Sequence, residues 1–148
     1  MFLAEADFKN VIKHSPMFSI DLVIINNGKV LLGRRLNRPA KGYWFVPGGR
    51  VRKGEPLNEA AERISLSELG ISLDYSNGRS LGVFEHFYKD SVYGEAISTH
   101  YIAHGVQFKE TVDLRLLPKD QHDSYGWWAI SEALASDEVH RYTKSYLR

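Results

Sequence analysis

Apolar positions along this chain change period several times, and the changes mark out its elements. In residues 4–13, Phe8, Val11 and Ile12 share one face at helical spacing, and Pro16 ends that helix. Met17 to Ile25 is an apolar, β-branched run that predicts a strand. Asn26-Asn27-Gly28 predicts a hairpin turn, because Asn and Gly accept positive φ, and Lys29 to Arg34 is the returning strand. Leu36 to Tyr43 is polar, with Pro39 and Gly42, and predicts a loop. Trp44 to Val46 predicts a short strand stopped by a turn at Pro47-Gly48-Gly49, and a second turn follows at Lys53-Gly54.

Pro56 to Leu69 predicts a helix, with proline in its first turn and Gly70 at its C-terminal cap. Residues 79–88 and 97–108 predict two strands connected through Lys89 to Gly94. Residues 109–124 are polar and predict a loop before a last strand, Tyr125 to Ile130. Ser131 is placed to cap a helix through Ala135, and residues 137–147 predict another. Strands interrupted by one strong helix, with helices at the C-terminal end, predict an α+β domain: a mixed sheet between helical layers.

Composition narrows the partners. A chain of 148 residues without internal repeats or long linkers predicts one domain, 1–148, with a real core. The formal charge of +1 sets up no global field for nucleic acid or an acidic membrane. No cysteine is present, which excludes disulfides and thiolate chemistry. The N-terminal residues lack the apolar core of a signal peptide, and no run approaches the roughly 18 apolar residues that cross a membrane. The cytoplasm is the expected location, with no nucleic-acid or membrane partner.

The chemistry concentrates in residues 49–71. At about 100° per residue, Leu57, Ala61, Ile64 and Glu68 fall on one helix stripe, and the three apolar ones should face the core. Glu68 then ends a buried face and needs a cation or a proton, unless a salt bridge or half-exposure satisfies it. Glu59 and Arg63 are spaced as a surface pair. Glu55 is a second partner for Arg63, in a pair that would hold the preceding loop.

These residues resemble the Nudix box. Gly49, Glu55, Arg63, Glu68, Gly70 and Ile71 stand at its positions, while Ile64 and Ser67 replace two of its acids and Ser65 an apolar place. The wider chain is similar to one branch of that superfamily, the GDP-mannose mannosyl hydrolases. The likeness runs through residues 31–51, the altered box, Glu85-His86-Phe87-Tyr88, Thr99-His100-Tyr101 and residues 118–128.

The resemblance implies a Nudix fold and hydrolysis of GDP-mannose to GDP and mannose, by water attack at the anomeric carbon with inversion. GDP-glucose is a second candidate substrate. It also implies one Mg²⁺ per subunit, for which Mn²⁺ can substitute, and a homodimer. The metal ligands would be the Gly48 carbonyl, Glu68 and Gln121. Arg35, Arg50 and Tyr101 would bind the diphosphate, and His122 would be the general base. His86 and Asp21 would lie near the substrate.

By themselves several of these residues read more plainly. A loop histidine such as His122 is ordinarily solvated. His86, on one strand face with Phe84 and Tyr88, equally suits a satisfied core histidine. Asp21 could be a strand-end acid facing water. Two rival functions also stand: a pyrophosphohydrolase cutting between the phosphates, and a nucleotide-sugar-binding module without catalysis.

Overall fold

A computed structural model describes residues 3–117 and 122–148. The elements are α1 (Glu5–His14), β1 (Met17–Asn26), β2 (Lys29–Arg35), β3 (Trp44–Phe45), β4 (Gly48–Arg50), α2 (Leu57–Leu69), β5 (Arg79–Tyr88), β6 (Thr99–Phe108), β7 (His122–Ala129), α3 (Ile130–Ala135) and α4 (Arg141–Leu147). The sheet runs β3-β2-β1-β6-β5, with β4 added to β1 and β7 added to β2. The β1–β6 pair is parallel, and the other pairs are antiparallel, so the sheet is mixed as expected.

Strand alternation divides the core in two. Ile20, Leu22 and Ile24 of β1 pack with Ala61, Ile64 and Leu69 of α2 on one face. Val23 of β1 joins Val30, Leu32, Ala133 and Tyr146 on the other, under α3 and α4. Helices therefore cover both faces of the sheet.

The turn between β1 and β2 forms as the sequence predicts. Asn26 pairs with Lys29, and the two loop residues, Asn27 and Gly28, both hold positive φ. Beyond Val30, β2 leaves β1. The N-terminal half of β1 pairs instead with β4, Ser19 to Arg50 and Asp21 to Gly48. This exchange of partners opens the space in which the candidate site lies.

Four expectations are corrected. Gly48–Arg50 is a strand rather than a turn, because β1 offers it a free edge. Leu57 is 39% exposed, since the first turn of α2 projects past the core that buries Ala61 and Ile64. Ser131 is not a cap: α3 begins at Ile130 without a side-chain cap bond. β7 begins at His122, so the predicted loop ends earlier, where the backbone of Arg35 offers a partner after a register shift between Arg34 and Arg35.

Candidate functional site

A cavity of about 410 Å³ lies where β1, β4, β6 and α2 converge. Asp21 reaches it from β1, Arg35 from the end of β2, and Gly48 and Arg50 from β4. Glu68 closes it from the last turn of α2, and His86 and Tyr101 enter from β5 and β6. Asp21 and Tyr101, 80 positions apart in sequence, are thus drawn to one wall.

The loop before α2 is held by an ion pair. Arg63 donates from Nε to Glu55 Oε2 at 2.7 Å and from its second terminal nitrogen to Glu55 Oε1 at 2.9 Å. That nitrogen also donates to the Arg50 carbonyl at 2.8 Å, which ties β4 to the helix. The bonds from Arg63 hold the Glu55 carboxyl at about 2, well below its ordinary range. Arg63 is thereby paired with Glu55, the second of its two sequence candidates.

The helix face behind the cavity is largely apolar. Ile64 is 2% exposed, and Gly49 lies against it so closely that a β-carbon there would stand 3.0 Å from Ile64 Cγ1. One turn on, Glu68 is only 6% exposed while still lining the cavity. At Gly48 a β-carbon would stand 2.5 Å from Asp21 Oδ1, so only glycine lets the two strands close here. Among the described residues no cluster of three His, Asp or Glu side chains is placed to hold a metal. A cation here would depend on Glu68 with backbone or amide oxygens, a set that suits a hard ion sharing its shell with phosphates and water.

Five arginines line the cavity, Arg35, Arg38, Arg50, Arg52 and Arg63, and Arg35 and Arg50 are the two expected there. Arg35 donates from Nε to the Pro39 carbonyl at 2.8 Å, which fixes the guanidinium at the start of the 36–43 loop. The Arg50 guanidinium lies 5.0 Å over the Phe8 ring of α1, a cation–π contact. Burial raises the Tyr101 phenol, while the charges of Arg35 and Arg50 oppose that rise, so the hydroxyl keeps its proton beside both arginines.

Asp21 and His86 are buried as well as cavity-facing. Burial pushes the Asp21 carboxyl up to about 6 despite a bond from Tyr146 and the nearby charge of Arg35. Burial, with the neighbouring His140, pushes His86 down to about 4, so its ring is neutral at neutral pH. His86 stacks on Tyr142 with ring centroids 4.2 Å apart. Both sequence readings of His86 thus describe one residue: packed in an aromatic nest, with one side on the cavity. Asp21 does not face water.

His122 stands elsewhere. It is 1% exposed, with Nδ1 3.4 Å from the Tyr125 hydroxyl. Its ring lies over Gly33, where a β-carbon would stand 2.7 Å from Cδ2. Its backbone pairs with that of Arg35, one strand from the cavity, and its side chain is not among those lining it. Gln121 lies outside the described residues.

Three contributors escaped the sequence reading. Phe8, packed edge-on against Tyr93 at 6.1 Å, brings α1 into the cavity wall. Tyr142 and Tyr146, one helical turn apart on α4, support His86 and Asp21 from behind. Their i,i+4 spacing in residues 137–147 was the available signal.

Comparison with known proteins agrees with this architecture. The NUDIX domain model matches residues 16–148. The low-salt glycan biosynthesis protein Agl8 of Haloferax volcanii is 40% identical over 122 residues, covering 82% of this chain and 76% of that protein. An ADP-ribose pyrophosphatase of Methanocaldococcus jannaschii is 39% identical over 56 residues, covering 38% of this chain and 33% of that protein. The crystal structure of a MutT NUDIX hydrolase from Burkholderia pseudomallei superposes with a TM-score of 0.73 at 28% identity, covering 90% of this chain and 97% of that one. Among the described residues no helix is long and apolar enough to cross a membrane.

Proposed function

The chain belongs to the Nudix hydrolase family, and from that premise we propose that it hydrolyses GDP-mannose to GDP and mannose, by attack of water at the anomeric carbon with inversion. The observation that carries this reading is the make-up of the α2 face. Glu55 is committed to Arg63, Ile64 is buried in the core and Ser67 is uncharged, so Glu68 remains as the box carboxylate on the cavity. Attack on phosphorus by metal-activated water draws on several clustered carboxylates. Departure of a diphosphate needs only that its charge be neutralised.

Nudix hydrolases generally use divalent ions such as Mg²⁺ or Mn²⁺. Glu68, the Gly48 carbonyl and Gln121 are the proposed holders of one such ion, and the nearly buried Glu68 on the cavity wall fits that role. When bound, the ion stabilises negative charge on the departing diphosphate. Arg35 and Arg50 grip phosphate oxygens through their planar forks, and Tyr101 donates its hydroxyl. GDP is a far better leaving group than an alcohol, so no general acid is required.

His122 is proposed as the base that takes a proton from water at C1. In that role its ring leaves Gly33 and reaches the cavity. Similarity to a glycan-biosynthesis protein supports an activated sugar as substrate.

The second reading, cleavage between the phosphates, draws on the stretch shared with an ADP-ribose pyrophosphatase. Incubation with GDP-mannose and Mg²⁺, followed by product separation, decides between them. GDP and free mannose support the proposal; GMP and mannose 1-phosphate support the second reading.

A further inference from the structure

The Tyr146 hydroxyl donates to Asp21 Oδ2 at 2.6 Å, with both side chains buried. It also stands 3.5 Å from His86 Nε2. Asp21 and His86 line the cavity, whereas Tyr146 is not among the lining residues. The sheet explains how α4 reaches so far. Asp21 on β1 and Gly105 on β6 are register partners in the parallel pair. A β-carbon at Gly105 would stand 2.5 Å from Tyr146 Cε1, so the ring lies on bare strand directly beside Asp21.

On its other side Asp21 pairs with Gly48, over which its Oδ1 lies. One carboxylate oxygen is thus tied to Tyr146, and the other is turned to the strand that carries the Gly48 carbonyl. A carboxylate turns easily about χ2, and a short hydroxyl bond fixes it. α4 is itself anchored at two further points. The Val46 amide donates to Thr143 Oγ1 at 3.2 Å, and the Tyr142 hydroxyl bonds the Phe87 amide and carbonyl at 2.9 Å each.

We propose that Tyr146 is a positioning residue: its hydroxyl fixes the Asp21 carboxylate in the cavity, and α4 thereby becomes part of the substrate site. The kinetic side of this proposal rests on the GDP-mannose reading; the geometric side does not.

Tyr146→Phe keeps the ring on Gly105 and removes only the hydroxyl. With GDP-mannose and Mg²⁺, kcat should fall about 10-fold or more, the scale of a lost hydrogen bond to a charged acceptor. The double variant with Asp21→Asn should be no slower than Asp21→Asn alone, because both changes break one coupling. Gly105→Ala, which drives the ring off Asp21, should reproduce the loss. A wild-type kcat for Tyr146→Phe, or losses that multiply in the double variant, would overturn the proposal.

Crystal structures of the wild type and Tyr146→Phe give a readout independent of substrate. The Asp21 carboxylate should turn away from Gly48 in the variant, and an unchanged rotamer overturns the proposal. Should the wild type leave GDP-mannose intact, the substrate reading falls, and the Asp21 rotamer alone decides the role of Tyr146.

Discussion

Ile64 Cγ1 lies directly against Gly49, where a β-carbon would stand only 3.0 Å away, so helix α2 packs closely on the β4 strand. A position that carries an acid in the Nudix box is here part of the core. Ile64→Ala should therefore cost about 2–4 kcal/mol of stability, as for other buried aliphatic truncations. Urea unfolding measures this, and Mg²⁺ affinity measured alongside should be little changed. A loss of Mg²⁺ binding without loss of stability would return Ile64 to the site.

Glu68 is the test of the single-carboxylate site. Glu68→Gln preserves shape and removes charge, so Mg²⁺ affinity and turnover should both fall by about 10-fold or more. Calorimetric titration of Mg²⁺ checks the first and steady-state rates the second. Unchanged affinity would reduce Glu68 to a buried structural acid.

Asp21 gives a pH signature. Its folded-state value of about 6 exceeds the ordinary 3.8, so folding favours the protonated form. The stability this group contributes is complete below its ordinary value and is lost as pH rises through about 6. The shift corresponds to a loss of up to about 3 kcal/mol. Asp21→Asn remains neutral, so in metal-free buffer it should be the more stable protein at pH 8, and the advantage should vanish near pH 4. Thermal melts of both proteins across that range check it. The comparison cancels the opposite trend from His86 and His140, whose values are pushed down. Equal pH dependence in the two proteins would show that burial does not perturb Asp21.

The parts of this molecule set by local pattern were legible in the sequence. β5 spans residues 79–88 as predicted, and the Asn27-Gly28 turn forms where positive φ is tolerated. The apolar stripe of α2 correctly buries Ala61, Ile64 and Glu68. What depends on long-range pairing was not legible. Gly48–Arg50 has no strand pattern of its own and becomes a strand only because β1 pairs with it. The contact between Tyr146 and Asp21 requires the parallel register that sets Gly105 beside Asp21. His122 belongs to a strand because β2 extends far enough to receive it.

His122 tests the proposed base. Removing a general base typically costs about 10²–10⁴-fold, and His122→Gln should lose turnover on that scale while retaining Mg²⁺ and GDP affinity. The wild-type rate should rise with pH through the imidazole's titration and then level off, and this limb should be absent in the variant. Retention of both rate and limb would exclude His122 and direct attention to His86, which already lines the cavity.

The most direct test of carbon attack is hydrolysis of GDP-mannose in oxygen-18 water with Mg²⁺, followed by mass spectrometry of the products. Carbon attack puts the label in mannose and leaves GDP unlabelled, because the bond broken lies between the sugar carbon and the diphosphate oxygen. Label in a phosphate-bearing product would contradict it, and would place the chemistry at phosphorus despite the single box carboxylate on the cavity.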